Sequence, residues 1–157
     1  MKRQDRAVYS RNEICSCIAR CTCCRLGFSD SQGVYIVPLS FGFETIDETD
    51  YFYFHSAQVG RKIDCIRQNS RVGFELDEGF ALQYAESACG CTARYQSIIG
   101  TGEIEILTTP EEKRHGLLKI MEHYTNRTDW DFSEKMLTAT AVLRLRVAQL
   151  SCKANRG

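Results

Sequence analysis

This chain of 157 residues carries 20 Lys or Arg against 20 Asp or Glu, and the absence of net charge argues against nucleic acid as its main partner. No apolar run approaches the roughly 20 residues of a membrane-spanning helix, so we expect no membrane association. The charged N-terminus is not followed by an apolar segment, which predicts no signal peptide, and the size suits one domain over residues 1–157.

Turn residues and apolar periodicity divide the chain into strands joined by short links, with helices at the ends and between them. Strands are predicted at residues 25–28, 33–43, 51–54, 71–77, 94–106 and 142–147. Helices are predicted at residues 12–19, 59–68, 111–124 and 132–138. We expect a hairpin loop at 44–50 and irregular chain at 78–90. This order favours an antiparallel barrel with peripheral helices.

A proline interrupts the second predicted strand, the apolar run 33–43. Because proline cannot donate to a sheet ladder, Pro38 marks a sheet edge, a bulge or a place where the ladder opens. A flat heteroaromatic ligand could lie against backbone that is free at such a place. Glycines in the run 94–106 indicate a second position where something approaches the backbone closely.

The aromatic strand 51–54 continues directly into a short polar segment and then a basic helix start, Gly60-Arg61-Lys62. A phosphate needs small residues that admit the backbone, free N–H groups at a helix start and a cationic side chain. The segment supplies all three, and His55 and Ser56 add hydrogen-bond donors. An ordinary strand-to-helix turn with a solvated arginine and lysine remains the alternative.

Taken together and in this order, these segments resemble the flavin split-barrel superfamily. The closest likeness is to the FMN-binding proteins related to pyridoxamine 5′-phosphate oxidase that include the 5-nitroimidazole-resistance proteins. The resemblance covers nearly the whole chain, to about Lys153, and its most specific part is His-Ser-Ala-x-x-Gly-x-Lys. The matching stretches are residues 1–6, 35–41, 54–62, 95–102 and 111–113.

The resemblance implies a mainly β protein, a six-stranded antiparallel Greek-key flavin split barrel, with FMN bound at the interface of a homodimer. Arg61 and Lys62 would bind the FMN phosphate, and Ser97 is a further possible donor or a solvent-facing strand serine. Members often have Asn where this chain has Ser40. The other implied cofactor-binding residues line the ribityl–phosphate region (His55, Ser56, Ala57, Gly60) or the isoalloxazine ring (Val37, Pro38, Leu39, Ser40, Phe41).

The implied function is that of an oxidoreductase, which passes electrons from a reduced donor to a small molecule such as a nitroaromatic compound. A non-catalytic flavin- or haem-binding protein of the same fold is the alternative. A true pyridoxamine 5′-phosphate oxidase is disfavoured, because the C-terminal residues 151–157 lack the histidine that such enzymes usually carry. Flavin chemistry requires no acid or base from the protein, and none is identified. Surface positions are expected for His115 and His123, and Trp130 could cover a flavin or pack in a core.

The chain has nine cysteines, which is a high and an odd number. Without a secretory signal they argue against a disulfide scaffold and for a cytoplasmic chain with reduced thiols. Five of them crowd into ten residues, where thiolates could hold zinc or an iron–sulfur cluster, but the spacing is not that of a zinc ribbon. We expect no metal, and a thiol-rich metal or redox module stays as the third alternative. The crowded cysteines are Cys15, Cys17, Cys21, Cys23 and Cys24.

Overall fold

The computed structural model describes residues 4–157, so the first three residues of the matching stretch 1–6 lie outside the described residues. The described chain contains eight strands, four α-helices and two single-turn 3₁₀ helices, Gln4–Arg6 and Ala88–Gly90. The strands are β1 Ala7–Val8, β2 Cys24–Asp30, β3 Gly33–Leu39, β4 Gly42–Ile46, β5 Thr49–Ala57, β6 Arg71–Gln83, β7 Thr92–Ile106 and β8 Thr140–Asn155. The helices are α1 Arg11–Arg20, α2 Arg61–Gln68, α3 Pro110–Thr125 and α4 Glu134–Ala139.

All eight strands form one antiparallel sheet in the order β3-β2-β6-β7-β8-β5-β4, with β1 added to β8. The two edge strands, β3 and β4, are consecutive in the chain and only Ser40 and Phe41 lie between them. A link of that length spans about 10 Å at most, so the sheet must curl until its edges approach each other. The predicted class, an antiparallel split barrel with peripheral helices, is confirmed, and the barrel is not closed by hydrogen bonds.

The strand count differs from the predicted six for two reasons. The predicted strand 33–43 is two strands, broken at Ser40–Phe41, and the short β1 pairs with β8. Pro38 lies on the edge strand β3, where its missing N–H costs no ladder bond on the open side, as the sequence indicated.

Two predicted irregular segments are wrong because strands continue through them. The loop expected at 44–50 shrinks to Asp47 and Glu48, whose φ angles of 46° and 64° permit a two-residue hairpin turn. The segment expected to be irregular at 78–90 contains the end of β6, which passes a bulge between Glu78 and Ala81. The last strand also runs well beyond the predicted 142–147 in both directions.

The core has two parts, one inside the barrel and one under α3. Inside, aromatic rings from neighbouring strands meet, with the Phe52 ring centroid 5.2 Å from that of Phe74, and α1 and α2 contribute Ile18 and Ile63. Outside, a second cluster joins α3 and α4 to the outer face of β5 and β8. All four predicted helices are present, with ends shifted by a few residues. Within residues 4–157, no helix is both long and apolar enough to span a membrane.

Candidate functional site

The barrel is split where the run β3–β4 changes its partner. In the described chain β3 pairs with β2 alone, whereas β4 pairs with the first half of β5, from Thr49 to Tyr53. The second half of β5, up to Ala57, pairs only with β8. Both β3 and the end of β5 therefore present a free strand edge to the same opening, and these edges carry unpaired backbone N–H and C=O groups.

The two segments singled out from the sequence border this split. Continuing the β4–β5 register through the break sets Ser40 opposite His55, Leu39 opposite Ser56, and Pro38 opposite Ala57. The proline strand and the polar end of the aromatic strand thus face each other across one opening, although no ladder joins them.

The five residues predicted to lie along a flavin ring have different environments. Val37 and Leu39 are half-buried and pack against the barrel core, and Pro38 and Ser40 are exposed. Phe41 is a core residue, fully buried with its ring centroid 4.2 Å from that of His123. A ligand in the split can therefore reach the first four far more readily than Phe41.

The break between β3 and β4 is held by α3. Tyr124 accepts a hydrogen bond from the Phe41 N–H at 3.2 Å and donates one to the Thr22 carbonyl oxygen at 2.9 Å. Next to it, His123 is half-buried, with Nε2 2.8 Å from the Cys21 carbonyl oxygen, so its expected surface position is wrong. The exposed His115 conforms to the expectation.

Arg61 joins the start of α2 to the β2–β3 hairpin. Its Nε and Nη2 donate to the two carboxylate oxygens of Asp30 at 2.8 and 2.9 Å. Its guanidinium carbon lies 4.8 Å from the centroid of the Tyr35 ring, a cation–π distance. These hydrogen bonds from Arg61 are the main cause that lowers the pKa of Asp30 to about 2. The basic helix start and the proline strand, far apart in sequence, are therefore brought together by one side chain.

Lys62, the neighbour of Arg61, has no such contacts. It is half-buried, and this desolvation lowers the pKa of its ammonium group. Among residues 4–157 it has neither a hydrogen-bond acceptor nor an ion-pair partner, although a half-buried charge is costly unless it is paired. A bound anion would supply the missing partner.

The start of α2 also lacks a cap. Gly60 occupies the N-cap position with φ 123° and ψ 166°, a conformation open essentially to glycine alone. Among the described residues, no side chain accepts a hydrogen bond from the first turn. The first N–H groups of the helix have no intrahelical acceptor, and the helix dipole favours negative charge there. This end of α2 and Lys62 together fit a phosphate group.

Preceding α2, the polar end of β5 is held by β8 and by the end of α4. His55 and Ser56 pair with Val142 and Ala141 of β8, leaving His55 exposed and Ser56 half-buried. The Gln58 side chain donates to the Thr138 carbonyl oxygen at the end of α4. Sequence reasoning missed Gln58, and no local pattern marks it.

Ser97 is not brought to the other predicted residues within one chain. It lies on β7, opposite Asp77 and Lys153, and two strands, β2 and β6, separate it from β3. Trp130 packs against the outer core cluster, and its indole N–H donates to the Thr125 hydroxyl at 3.2 Å.

The crowded cysteines are mainly core residues. All nine are free thiols, and Cys17, Cys21 and Cys24 are buried in the barrel core. Burial raises the pKa of the Cys24 thiol, which keeps it protonated and unreactive. In the part of the chain that the structure describes, no group of three or more His, Cys, Asp or Glu could hold a metal ion.

The curled antiparallel sheet, split beside a cationic helix start, defines a protein of the flavin split-barrel class. The sequence model described as pyridoxamine 5′-phosphate oxidase matches residues 10–154, and the chain belongs to this family. Among curated proteins, none matches the chain.

Solved structures agree with this assignment. The chain is 31% identical to a candidate 5-nitroimidazole antibiotic resistance protein from Bacteroides thetaiotaomicron, with a TM-score of 0.82 over 94% of this chain and 86% of that one. The flavocytochrome Anf3 of Azotobacter vinelandii matches with a TM-score of 0.80 at 18% identity, over 100% of this chain and 72% of that one. An FAD- and haem-binding protein of Mycobacterium smegmatis matches with a TM-score of 0.82 at 16% identity, over 97% of this chain and 74% of that one. The last two likenesses show the fold alone.

Proposed function

We propose that the chain is a single-domain, cytoplasmic flavoprotein that binds FMN and passes electrons from a reduced donor to a small acceptor. The observation that carries the proposal is the unpartnered, half-buried Lys62 beside the uncapped start of α2, at the border of the split. Nine free cysteines support a reducing compartment.

The residues around the split fit the parts of FMN. Lys62 and the N–H groups of α2 suit a terminal phosphate, which is a dianion near neutral pH. Half-buried Val37 and Leu39 offer apolar contact for a flat ring, and the free edge of β3 offers backbone donors and acceptors. Bound flavin supplies the redox chemistry, and these residues bind it, orient it and exclude water from one of its sides.

A homodimer is part of the proposal, and the outer face of the sheet supports it. Val34, Ile36 and Ile99 there are 74%, 63% and 56% exposed. The glycines Gly27 and Gly73 lie between Ile36 and β7 in one cross-strand row, which makes that row flat, and the next row carries the Arg25–Glu75 ion pair beside Ile99. Exposed apolar patches of this kind mark interaction sites. A second copy on this face would also explain why Ser97 lies apart from the split of its own chain.

As acceptor we propose a nitroaromatic compound, with reduced nicotinamide as donor. The support is the family membership and the 31%-identical protein described as a candidate for 5-nitroimidazole resistance. Strand β8 carries no histidine, and we expect little or no oxidation of pyridoxamine 5′-phosphate. A peroxide-coupled assay with that substrate checks this, and robust turnover would contradict it.

The first test is the absorbance spectrum of freshly purified protein, with the released cofactor identified by its mass. Flavin bands and the mass of FMN are expected. The mass of FAD would support a flavoprotein but refute FMN as its cofactor. A haem Soret band without flavin would favour the haem-binding alternative, and a colourless protein that also fails to bind added FMN would overturn the proposal.

The dimer is tested by light scattering after gel filtration, with and without flavin. Ile36→Asp on the outer face is expected to give a monomer and to weaken flavin binding, because the interface and the cofactor are coupled. Ile46→Asp at the β4–β5 hairpin, also exposed, is the matched control and should stay dimeric. A flavin-loaded wild-type monomer would refute this part.

The enzymatic part is tested with the flavin-loaded protein. NADH or NADPH is expected to bleach the flavin absorbance without air, and a 5-nitroimidazole added afterwards should restore it. A flavin that neither donor reduces would favour a protein that only binds its cofactor. If the donor reduced the flavin but the nitro compound did not reoxidise it, the nitroaromatic acceptor would be refuted, while the protein could still be an oxidoreductase with another acceptor.

A further inference from the structure

Two cysteines, Cys89 and Cys91, lie in the loop that joins β6 to β7, outside the strands that border the split. We propose that the segment Cys89-Gly90-Cys91 is a reversible dithiol–disulfide pair that exchanges with small disulfides. Cys89 is the attacking thiol, and Cys91 closes the disulfide within the chain. The pair needs no flavin for this reaction, which is therefore independent of the proposed function.

The hairpin formed by β6 and β7 extends beyond the rest of the sheet. Strand β8 pairs with β7 only as far as Tyr95, so among the described residues 92–94 pair with β6 alone. The side-chain amide of Asn155 fixes the base of this extension, because it donates to the Thr92 hydroxyl at 3.1 Å and to the Ala93 carbonyl oxygen. The loop 84–91 is therefore held at its root and presented to solvent at its tip.

The cysteines differ in their access to solvent. All nine lie within the described residues, and only Cys89 among them is exposed. In thiol–disulfide exchange the attacking sulfur must reach a disulfide in solution, so access limits the rate together with the thiolate fraction. Cys89 is thus the sulfur that an external disulfide meets first.

Gly90 brings the two cysteines within bonding reach. It belongs to the 3₁₀ turn Ala88–Gly90, and the two neighbours of a residue in such a turn have Cα atoms about 5 Å apart. Disulfides span Cα separations of about 4.4 to 6.8 Å. A Cβ at position 90 would lie 2.8 Å from the Ala85 Cβ and 3.2 Å from the Ser87 hydroxyl oxygen. The turn that sets the spacing therefore requires glycine.

Cys91 is held beside this turn by the backbone of Ala85. Its sulfur accepts the Ala85 N–H at 3.5 Å, and its S–H donates to the Ala85 carbonyl oxygen at 3.7 Å. The Cys91 side chain is half-buried as a result, although it follows the exposed Cys89 by only two residues. This arrangement suits a sulfur that reacts with its neighbour in the chain more readily than with a molecule in solution.

The exchange has two steps that conserve atoms and electrons. The Cys89 thiolate attacks one sulfur of a small disulfide, the S–S bond of that disulfide breaks, and one thiol leaves with the proton that Cys89 has lost. The Cys91 thiolate then attacks the Cys89 sulfur in the mixed disulfide, and the second thiol leaves with the proton of Cys91. The chain loses two electrons and two protons, and the small disulfide gains them. Because exposed and strained disulfides are readily reduced, excess thiol should reverse the reaction.

The test treats freshly purified protein with glutathione disulfide, then alkylates the free thiols and digests the chain with trypsin. Cleavage after Arg71 and Arg94 releases the peptide 72–94, which contains Cys89 and Cys91 and no other cysteine. Mass spectrometry is expected to show this peptide without alkylation and lighter by two hydrogen atoms than the dithiol. Excess glutathione added before alkylation should restore the dithiol.

Two variants separate the roles of the two sulfurs. Cys91→Ser is expected to accumulate a mixed disulfide, with one glutathione on Cys89, because no second thiol can displace it. Cys89→Ser should react about tenfold more slowly or less, since the remaining sulfur is half-buried. Cys15→Ser removes a half-buried thiol of α1 and is the matched control, in which the peptide 72–94 should become oxidised as in wild type.

Three results would overturn the proposal. Alkylation of both cysteines in the treated wild type would mean that the tip does not react with disulfides. Glutathione that stays on Cys89 in wild type would mean that Cys91 does not close the ring. Chains cross-linked to each other through Cys89 would mean that its partner lies on a second copy. A protein that binds no flavin should still give the internal disulfide, so failure of the proposed function leaves this test intact.

Discussion

The starts of α2 and α3 differ in what satisfies the free backbone N–H groups of the first turn. At α3, the Thr109 hydroxyl accepts the Glu112 N–H at 3.2 Å, the Glu112 carboxylate lies 3.4 Å from the Thr109 N–H, and Pro110 occupies the first position. At α2, Gly60 offers no side chain. The chain satisfies the free N–H groups of one helix with its own residues and leaves those of the other to solvent or a ligand.

The lysines near the two helices differ in the same way. Lys113 of α3 donates to the Leu137 and Thr140 carbonyl oxygens at 2.9 and 3.1 Å, where the end of α4 favours a cation. Lys62 has no partner among the described residues. A helix start with a capped first turn and a paired lysine supports the fold, whereas one with an unpaired charge and no cap is suited to binding.

Gly42→Ala should have the largest effect, on the α3 side. A Cβ there would lie 2.4 Å from the Lys119 carbonyl carbon and 2.5 Å from the Ile120 nitrogen, so α3 must move. We expect a loss of about 2–3 kcal/mol in the free energy of unfolding, measured by urea denaturation. In the control Gly27→Ala, the nearest atom would be 3.7 Å away, and the loss should stay below about 1 kcal/mol. Equal losses would mean that α3 does not pack this tightly on β4.

Lys62→Met should act on binding and spare stability. FMN affinity is expected to fall about 10- to 100-fold, because a charge-assisted contact to the phosphate is lost, while riboflavin affinity stays the same. The free energy of unfolding should not fall, since an unpaired, half-buried charge is removed. Lys113→Met is the matched control and should do the reverse, lowering stability without changing the preference for FMN. Isothermal titration and urea denaturation measure the two quantities.

The elements predicted correctly from the sequence are those that a short stretch of chain determines by itself. Pro110 and the apolar face behind it predicted α3, and Pro38 predicted an edge strand. The turn at Asp47–Glu48 was missed because two-residue turns with positive φ usually contain Asn or Gly, and the end of β6 was missed because Gly79 and exposed apolar residues are typical of loops.

Part of the candidate site could likewise be predicted from the sequence, and part of it could not. Both segments that border the split could be chosen from the sequence, since each has unusual residues in a row. The pairing of Arg61 with Asp30 and Tyr35 could not, because the contacts join residues about 30 apart and depend on where the barrel places the β2–β3 hairpin. The difference between Arg61 and Lys62 is a product of tertiary structure alone.

Thr109→Ala removes from α3 the N-cap hydroxyl, a kind of cap that α2 lacks. The loss in free energy of unfolding should be about 1 kcal/mol, the usual effect of removing an N-cap hydroxyl, with FMN affinity unchanged. The exposed neighbour Thr108 makes no cap, so Thr108→Ala should change neither quantity measurably. A fall in FMN affinity for Thr109→Ala alone would show that the two helix starts are coupled, contrary to the comparison drawn from them.

The smallest effect expected is the pH dependence of the ion pair between Asp30 and Arg61. The pKa of Asp30 is lowered to about 2 by Arg61, below the ordinary value near 3.9, so the folded state favours the ionised carboxylate. Its contribution to stability is therefore complete above about pH 5 and is lost as the pH falls through 4 toward 2. The difference in free energy of unfolding between wild type and Asp30→Asn should follow this course, while all other carboxylates cancel.

This pH course separates an ion pair from a packing contact. If the stability difference between wild type and Asp30→Asn persisted unchanged at pH 2, the asparagine would be disturbing the shape of the hairpin rather than removing a charge, and Tyr35 with its Phe28 support would be the main hold on Arg61. If it vanished already at pH 4, Arg61 would not be lowering the pKa of Asp30 in solution, and the guanidinium would be free to take part in phosphate binding beside Lys62.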